Sequence, residues 1–530
     1  MTTATPSSLR KDSGDRRPFR RILIANRGEI AVRIIRACRE LGVEAVAVYS
    51  DADQDAAHVR LADAAVRLGP APAGESYLRA DAVVEAALET GAEAIHPGYG
   101  FLAERASFAR RVEDAGLVFV GPSSDVIAAL GDKLAARRSA AAAGVPVVPG
   151  TLEPAPVDRP ADLEAIAAQA AEIGFPLLVK AAAGGGGRGM RRVAAAAGLP
   201  AALAAGSAEA ASAFGDGSVY LEREIRPARH IEVQLIGDAD GQIAALGERD
   251  CSLQRRHQKL VEESPAPGLA RDERLALHEL AVRAARSAGL RNAATAEFLF
   301  DRDRRFWFLE VNTRLQVEHG VTELVSDVDV VREQLWIAAG HRLSERVRAA
   351  AARAADADRH AIEVRISAED PARDFAPAPG TIGRWELPSG PGIRVDTAAE
   401  RGTRVPPDYD PLVAKLLVVD ETRDAAIDRL ARALDETTIT GIQTTLPFHR
   451  FVARDARFRA GDLAIDWVDT QWAEIAAADR RRAFEIAARA AAGAVSSPGG
   501  GPVAPRPSDE MPASAWASDG RRRAVDRWPR

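Results

Sequence analysis

KAAAGGGGRGM occupies Lys180–Met190 and directly follows the short apolar stretch PLLV, which is predicted to be a strand. Its four consecutive glycines let backbone N–H groups turn toward an anion, because no side chain stands in the way. The lysine precedes the glycines and no GK[ST] follows, so the segment is not a Walker A loop. Because Lys180 and Arg188 flank the glycines, a mobile loop over a nucleotide is favoured over a flexible hairpin tip.

Two glutamates stand near the ends of two apolar segments, AEFLF with Glu297 and FLEVN with Glu310. The charged turn DRDRR joins the segments, so an antiparallel hairpin would bring the two carboxylates together. With Asn312 they offer the hard oxygen ligands that Mg²⁺ prefers beside nucleotide phosphates. The alternative is a solvated hairpin face, which the strongly apolar strands disfavour.

Two polar segments concentrate hydrogen-bond donors on either side of these glutamates, QRRHQK from Gln254 to Lys259 and NTRLQVEH from Asn312 to His319. The second segment also carries the carboxylate Glu318. Such a set suits the binding of a small anion and the transfer of one proton. Either segment alone is equally typical of a surface loop. Together with the glycine loop and the paired glutamates, they predict a site for ATP, Mg²⁺ and an oxyanion.

Around these motifs the chain is predicted to form three domains. RILIA, the amphipathic segment EIAVRIIRACRELG and VEAVAVYS predict a strand, a helix and a strand. Further strands near Ala94–His96 and Val118–Val120 then indicate a doubly wound N-terminal domain over residues 20–135. GVPVVPG marks a linker into a small α+β lid domain, together residues 136–225. Alternating segments such as IEVQLIGD predict a larger domain with antiparallel strands, residues 226–475.

The two ends of the chain differ in composition from the rest. Residues 1–19 are polar, lack the apolar centre of a secretory signal and are predicted to be a disordered leader. After Ala490 the sequence SSPGGGPVAPRPS is typical of a flexible linker. Residues 476–530 are therefore predicted to comprise a helix, this linker and a tail. We expect Trp516 and Trp528 in the tail to dock on the body of the chain or on a partner.

Composition limits the class of protein. The 530 residues carry 70 basic and 76 acidic side chains, a net charge of −6, and 47% are hydrophobic, as in soluble globular proteins. No apolar run approaches the ~20 residues of a membrane helix, and nucleic-acid-binding proteins usually show a basic excess. Cys38 and Cys251 fit no metal-binding spacing. We expect a reduced, cytoplasmic protein with no nucleic-acid and no membrane partner.

Lysine is rare in the chain. Only five of the 70 basic residues are lysines, at positions Lys11, Lys133, Lys180, Lys259 and Lys415. A lysine ammonium meets a phosphate oxygen as a compact point charge, whereas the guanidinium of arginine is planar and rigid. Lys133, Lys180 and Lys259 each lie in a motif, so we interpret them as candidate anion ligands. Lys11, in the leader, is better explained by chance.

In their order along the chain, the motifs resemble those of the biotin carboxylase family, a branch of the ATP-grasp enzymes. The resemblance covers about residues 20–450 and is carried by ANRGEIAVRIIRAC, HPGYGFLAE, GDK, KAAAGGGGRGM, ERDCSLQRRHQK, EFLF, EVNTRLQVEH, EVRISAED and GIQTT. It implies an α/β and α+β fold of ATP-grasp architecture, with a Rossmann-like N-terminal domain, a small mobile lid domain and a larger C-terminal domain. The implied activity is that of an ATP-dependent ligase that carboxylates biotin with bicarbonate.

The resemblance also implies roles for individual residues. The residues expected to bind ATP are Lys133, Lys180, Gly184, Gly185, Gly186, Gly187, Glu222, Ile225, His230, Gln254 and His257. Those expected to bind bicarbonate are Lys259, Arg314, Gln316 and the backbone of Val317. The metal positions are Glu297, Glu310 and Asn312, and the positions near biotin are Tyr99 and Arg365. The expected catalytic residues are Glu318, Arg314, Arg365 and Lys259.

In the implied mechanism Glu318 deprotonates bicarbonate, which attacks the γ-phosphate of ATP. Mg²⁺ (or Mn²⁺), Lys180 and the glycine loop neutralise charge on the transferred group. The carboxyphosphate formed yields CO₂ and phosphate. The phosphate then takes the proton from biotin N1′ while Arg365 stabilises the ureido enolate.

Three positions depart from the family pattern without removing a catalytic group. Gly320 follows the histidine of QVEH where the family usually has proline, which implies extra backbone freedom in the loop that bears the base. Thr445 stands in place of an asparagine. Ala296 stands in place of a larger apolar residue before Glu297.

The family attaches biotin to a lysine between two methionines, and Met1, Met190 and Met511 have no lysine neighbour. We therefore expect carrier-bound biotin on a separate biotin carboxyl carrier protein, a separate carboxyltransferase subunit and a homodimer. The leading interpretation is the biotin carboxylase subunit of an acetyl-CoA or propionyl-CoA carboxylase, with a role in fatty acid biosynthesis. Alternatives are the same half-reaction for pyruvate, urea or another acceptor, an ATP-grasp acid–amine ligase, which does not need HPGYGF or Arg365, and a non-catalytic scaffold.

Overall fold

The computed structural model describes residues 17–155, 160–182, 190–478 and 481. The four-glycine run, the chain before residue 17 and the tail with its two tryptophans lie outside these ranges, so the expectations for them stay predictions. None of the described helices is both long and apolar enough to cross a lipid bilayer.

The N-terminal part forms a five-stranded parallel sheet in the order β3-β2-β1-β4-β5. Its strands are β1 Arg21–Ile24, β2 Glu44–Ser50, β3 Ala64–Gly69, β4 Ala94–His96 and β5 Val118–Phe119. Its helices are α1 Gly28–Glu40, α2 Ala57–Leu61, α3 Ala80–Glu89, α4 Ala106–Asp114, α5 Ser124–Gly131 and α6 Lys133–Ala142. The predicted strand-helix-strand unit is confirmed. Ile22, Leu23 and Ile24 are all buried because both faces of a parallel sheet are covered.

Two features of this domain differ from the sequence pattern. Strand β3 pairs with β2 at the sheet edge, yet only Leu68 and Gly69 of it are buried, so no apolar alternation marks it in the sequence. Phe19, which falls in the predicted leader, is buried in the hydrophobic core beside Ile22.

A small antiparallel sheet with two helices follows. Its elements are α7 Pro160–Ile173, β6 Leu177–Ala181, β7 Arg191–Val193, α8 Leu199–Phe214 and β8 Val219–Arg223. Strand β6 lies between β7 and β8, and the register pairs Lys180 with Tyr220 and Leu178 with Glu222. Leu177 and Val179 are buried in the core of this sheet. Strand β8 ends at Arg223, two residues before Ile225.

The third part contains the remaining strands and helices. The strands are β9 Ala228–Gly237, β10 Ile243–Arg255, β11 Gln258–Ser264, β12 Asn292–Asp301, β13 Phe306–Asn312, β14 His360–Ser367, β15 Glu369–Asp370, β16 Ala376–Pro377, β17 Gly380–Thr381, β18 Trp385–Glu386, β19 Ile393–Thr397, β20 Arg404–Val405, β21 Leu412–Asp420 and β22 Thr438–Ile439. The helices are α9 Arg271–Ser287, α10 His319–Ser326, α11 Val330–Ala338, α12 Glu345–Arg353, α13 Arg423–Glu436, α14 Leu446–Val452 and α15 Ala456–Ala460.

Eight of these strands form an antiparallel sheet in the order β13-β12-β9-β10-β11-β14-β21-β19. Its register places Glu310 beside Glu297, Glu297 beside Glu232 and Glu232 beside Arg249. Directly opposed residues share a face of a sheet, so the four side chains form one row across four strands. The hairpin of β12 and β13 confirms the predicted pairing of Glu297 with Glu310. The long-range pairing adds Glu232 and Arg249.

Candidate active site

Lys259, near the start of β11, lies among three buried carboxylates. Its Nζ donates to Glu318 Oε1 at 2.6 Å, to Glu297 Oε1 at 3.1 Å and to Glu232 Oε2. Burial alone would lower the pKa of Lys259, but the three carboxylates raise it well above its ordinary value. Lys259 is therefore a fixed cation, in direct contact with two other residues that the sequence singles out.

Glu318 immediately precedes α10 and is fully buried. One carboxylate oxygen accepts from Lys259, and the other accepts from Arg365 Nη2 at 2.8 Å. Burial would raise the pKa of Glu318, but Lys259, Arg365 and Arg249 hold it well below its ordinary value. Glu318 is thus ionised at neutral pH, the state that a proton acceptor requires.

Arg365, on β14, is held at its side chain and at its backbone. Its Nε donates to Glu262 Oε1 at 2.5 Å. Its carbonyl oxygen accepts from Thr445 Oγ1 at 2.8 Å and lies 2.7 Å from His449 Nε2. Thr445, one of the three departures from the family pattern, thus supports the backbone of the arginine expected near biotin.

The predicted metal ligands occupy the edge of the large sheet. Asn312 Nδ2 donates to Glu297 Oε1 at 2.7 Å, and Glu310 Oε2 lies 3.6 Å from Lys133 Nζ. Burial opposes ionisation of Glu297, but Lys259 and His230 keep its pKa well below the ordinary value. Two carboxylates and one amide group at adjoining positions supply hard oxygen donors, so this donor set fits Mg²⁺.

Three of the residues expected to hold bicarbonate, Arg314, Gln316 and Val317, lie in one loop between β13 and α10, whereas Lys259 is on β11. Arg314 Nη1 donates to Gln316 Oε1 at 2.9 Å, and Gln316 Nε2 donates to Glu297 Oε1 at 3.2 Å. Arg314 Nε also donates to Glu104 Oε2 at 2.9 Å. The loop therefore contacts Glu297, a predicted metal ligand, on one side and Glu104 of the N-terminal domain on the other.

Lys415, on β21, supports the backbone of the same loop. Its Nζ is fully buried and donates to the carbonyl oxygen of Val317 at 2.8 Å. The same Nζ lies 3.3 Å from Glu29 Oε1, which accepts from the hydroxyl of Tyr99. Tyr99 is thereby connected to the residue before Glu318, although the two are far apart in sequence.

Of the other residues expected at the nucleotide, four lie near Glu297 or Lys180. His230 Nε2 lies 3.0 Å from Glu297 Oε2, and Gln254 Nε2 lies 3.3 Å from His230 Nδ1. His257 lies in the turn between β10 and β11, where partial loss of hydration and the charge of Lys180 lower its pKa. Glu222 accepts from Lys180 within the lid sheet.

Ile225, also expected at the nucleotide, is half-buried just after β8. Gly184 to Gly187 lie outside the described residues. Gly320 lies in the first turn of α10, and a Cβ atom there would come within 2.4 Å of Leu417 Cδ2. The glycine at this position thus permits close packing of α10 on β21.

Sequence reasoning missed the buried charged residues that hold the site together. They are Glu232, Arg249, Glu262, Arg137 and Lys415. For Glu232 the available signal was a charged residue in a largely apolar strand, IEVQL. The scarcity of lysine already pointed to Lys415 without assigning it a role.

The chain is 48% identical to biotin carboxylase of Pseudomonas aeruginosa over 449 residues, which is 85% of this chain and 98% of that protein. Among solved structures, a biotin carboxylase complex from Campylobacter jejuni gives a TM-score of 0.80 at 43% identity, over 85% of this chain and 98% of that one. The biotin carboxylase domain dimer of Hydrogenobacter thermophilus 2-oxoglutarate carboxylase, with its magnesium ADP and bicarbonate, gives 0.79 at 44% identity, over 85% of this chain and 97% of that one.

The fold has a parallel N-terminal sheet, a small antiparallel lid and a large antiparallel sheet with a row of acidic side chains. This architecture defines an ATP-grasp ligase. Three family models match in succession: Biotin carboxylase, N-terminal domain, over residues 18–127; Carbamoyl-phosphate synthase L chain, ATP binding domain, over 132–346; and Biotin carboxylase C-terminal domain, over 363–470. The chain belongs to the biotin carboxylase family, whose members carboxylate biotin at the expense of ATP.

Proposed function

We propose that this chain is the biotin carboxylase subunit of an acyl-CoA carboxylase, and that Glu318 is its general base. The observation that carries the assignment of the base is the position of Glu318 between two cations. One oxygen accepts from Lys259, which we assign to bicarbonate, and the other accepts from Arg365, which we assign to biotin. In this assignment the proton acceptor lies between the positions of the two substrates that react in sequence.

In the first step Glu318 takes the proton of bicarbonate, and a bicarbonate oxygen attacks the γ-phosphorus of ATP while the bond to ADP breaks. Lys259, Arg314, Gln316 and the backbone of Val317 hold the anion. The products are carboxyphosphate and ADP. A fixed cation beside an ionised base favours this step, because it stabilises the dianion formed when bicarbonate loses its proton.

We propose that ATP is bound by residues of the lid and by residues outside it. Mg²⁺ held by Glu297, Glu310 and Asn312 would neutralise charge on the phosphates. The residues proposed to contact ATP are Lys133, Lys180, Gly184, Gly185, Gly186, Gly187, Glu222, Ile225, His230, Gln254 and His257.

In the second step carboxyphosphate yields CO₂ and phosphate, and the phosphate takes the proton from N1′ of biotin. The enolate of the ureido group then attacks CO₂. Arg365 stabilises that oxyanion with a guanidinium whose pKa stays above its ordinary value, because Glu262 and Glu318 outweigh the effect of burial. We assign Tyr99 to the biotin side of the site.

The test is bicarbonate-dependent ADP release from ATP and Mg²⁺, with and without free biotin. We expect Glu318→Gln to slow the reaction by at least about 100-fold, the usual contribution of a general base. We expect Arg365→Ala to remove the stimulation by biotin. Arg384→Ala and Glu386→Gln are matched controls, because these residues form an exposed ion pair. ATP turnover that never responds to biotin would contradict the proposal.

The final acceptor is proposed to be acetyl-CoA or propionyl-CoA. The name of the Hydrogenobacter relative supports the alternative that a 2-oxo acid, such as pyruvate or 2-oxoglutarate, accepts the carboxyl group. The decisive measurement is incorporation of labelled bicarbonate by the native complex that copurifies with this chain. Acetyl-CoA, propionyl-CoA, pyruvate and 2-oxoglutarate are supplied separately. Label in an acyl-CoA alone supports the proposal, and label in a 2-oxo acid alone replaces it.

We further propose that biotin reaches the site on a separate carrier protein and that the chain forms a homodimer. Support comes from the free-standing Pseudomonas relative, matched over 98% of its length, and from the dimer named for the Hydrogenobacter domain. Streptavidin binding by the denatured chain would contradict the first part. A monomeric mass by light scattering would contradict the second.

A further inference from the structure

Arg137 is a fully buried arginine to which the proposed function gives no role. It lies on α6, one turn after Lys133, and has no solvent exposure. Its Nη1 donates to Glu222 Oε1 at 2.6 Å, and its Nη2 donates to the carbonyl oxygen of Val148 at 2.6 Å. The guanidinium also lies 5.7 Å from the ring centroid of Tyr220. Arg137 therefore joins helix α6 to strand β8 of the lid sheet.

Glu222 is shared by two cations that lie on different secondary-structure elements. Arg137 donates to Oε1, whereas Lys180, on the neighbouring strand β6, donates to Oε2. Only 2% of Glu222 is exposed. Burial would raise the pKa of this carboxyl, but Lys180 and Arg137 lower it below the ordinary value. Glu222 is therefore a buried anion that needs a partner.

If Lys180 also contacts the phosphates of ATP, the carboxylate of Glu222 and the phosphates compete for its ammonium group. An ammonium held on Glu222 is less available to a phosphate. Removing the only partner of a buried carboxylate is strongly destabilising. With Arg137 in place Glu222 keeps one buried cation, so Lys180 can turn to the nucleotide without leaving that carboxylate unpaired.

We infer that Arg137 is a positioning residue that neutralises Glu222 and thereby frees Lys180 for the phosphates of the nucleotide. The inference rests on the proposed function, from which it takes the assignment of Lys180. Arg137 acts through Glu222 and Lys180 and does not itself touch the substrate.

The first test compares Arg137→Met with Arg137→Lys in the full chain. Methionine removes the charge, so Lys180 stays on Glu222, and the Kd for ADP with Mg²⁺ and the KM for ATP rise about tenfold, equivalent to about 1.4 kcal/mol. The kcat at saturating ATP stays within about twofold, as expected when only substrate binding is affected. Lysine keeps the charge but loses the fork that reaches Val148, so its nucleotide affinity stays near that of the wild type.

A second variant distinguishes charge from structural support. In Glu222→Gln the carboxylate is gone, so adding Arg137→Met to it produces no further loss of ADP affinity. Arg138→Met is the matched control, because Arg138 is exposed and donates to the carbonyl of Leu152. Thermal unfolding of each variant reports the structural contribution separately.

Equal losses of ADP affinity in the methionine and lysine variants would overturn the inference, because packing alone would then explain them. An unchanged ADP affinity in the methionine variant would overturn it as well. Failure of the proposed function has a different signature. The wild type would then bind ADP with Mg²⁺ but show no response to bicarbonate and biotin, while the comparison of ADP affinities would still apply.

Discussion

Glu318 illustrates how strongly the residues of this site depend on one another. Its two oxygens each accept from one cation, and Lys259 is in turn shared with Glu297 and Glu232. Removing one member leaves each of its neighbours with one charged partner fewer, which weakens the compensation of a buried charge. We therefore expect substitutions within the cluster to be non-additive.

Glu263 is a buried carboxylate outside the proposed active site, so it tests how a buried ion pair contributes to the stability of the fold. It accepts from Arg423 Nε at 2.7 Å and lies 2.7 Å from His360 Nε2. Burial alone would raise its pKa, but His360 and Arg423 lower it to about 2. A carboxyl group whose pKa is lower in the folded than in the unfolded protein stabilises the fold at pH values above its unfolded-state pKa. This stabilisation is lost as the pH falls through the folded-state pKa.

We expect Glu263→Gln to reduce the free energy of unfolding at pH 7 by about 3 kcal/mol, in line with the size of the pKa shift. The difference from the wild type is complete above about pH 4.5 and shrinks as the pH falls toward 2. Urea unfolding at pH 7.5, 5 and 3.5 measures it. A difference that does not change with pH would contradict the assignment.

Replacing Thr445 removes a hydrogen bond that supports the backbone of Arg365. Thr445 Oγ1 donates to the carbonyl oxygen of Arg365 and accepts from the backbone N–H of Ser367 at 3.0 Å. We expect Thr445→Val to lower the free energy of unfolding by about 1–3 kcal/mol, the cost of buried groups left unsatisfied. A displaced Arg365 also lowers the biotin-stimulated rate by about tenfold.

Thr445→Ser keeps the hydroxyl and is expected to retain most of the biotin-stimulated rate. Thr90→Val is a control for the same substitution in the N-terminal domain, where Thr90 Oγ1 donates to the carbonyl oxygen of Ala86. Equal rates for the serine and valine variants would show that the hydroxyl does not position Arg365.

Helix α10 and strands β14 and β21 determine where Glu318 and Arg365 meet. Glu318 stands at the start of α10, and Arg365 pairs in register with Lys415 of β21. The helix packs so close to β21 that a side chain at position 320 would collide with Leu417. Close packing between elements, rather than local backbone freedom, therefore explains the glycine.

We expect Gly320→Ala to lower the free energy of unfolding by about 1–3 kcal/mol through overpacking, and to lower activity because α10 carries Glu318 at its start. Thermal unfolding and biotin-dependent ADP release measure the two effects. In the double variant with Leu417→Ala, the loss should be smaller than the sum of the single losses. Gly74→Ala is the control, since a Cβ atom there meets no neighbour within 4 Å. Additive losses would contradict the packing argument.

The chain divides into a compact unit, Met1–Ala473, and a second unit, Glu474–Arg530. All residues proposed for the site belong to the first unit. The hypothesis for the tail is that Trp516 and Trp528 anchor a partner, because large aromatic side chains on a polar linker are otherwise costly exposed surface.

We expect deletion of residues 491–530 to leave biotin-dependent ADP release unchanged and to weaken assembly with the carrier and the carboxyltransferase. Size-exclusion chromatography of the mixed proteins measures assembly, and the ADP assay is its control. Unchanged assembly would remove the hypothesis for the tail.

Much of the fold followed from local patterns. Apolar alternation and the hairpin turn predicted β12 and β13, and the amphipathic segment after RILIA predicted α1 between two parallel strands. The edge strand β3 was missed because its exposed small residues have no such pattern. Turns, helices and hairpins are specified by residues close in sequence, so they can be predicted from it.

The identities of Lys259, Glu297, Glu318 and Arg365 were also available from the sequence, because their motifs resemble those of a known family. Their arrangement was not available from local patterns. Glu232, Arg249 and Glu262 join the site only through the register of strands far apart in the chain, and Arg137 meets Glu222 only because the lid lies against α6. Local sequence specifies local geometry and chemical type, whereas the partners of buried charges depend on long-range packing.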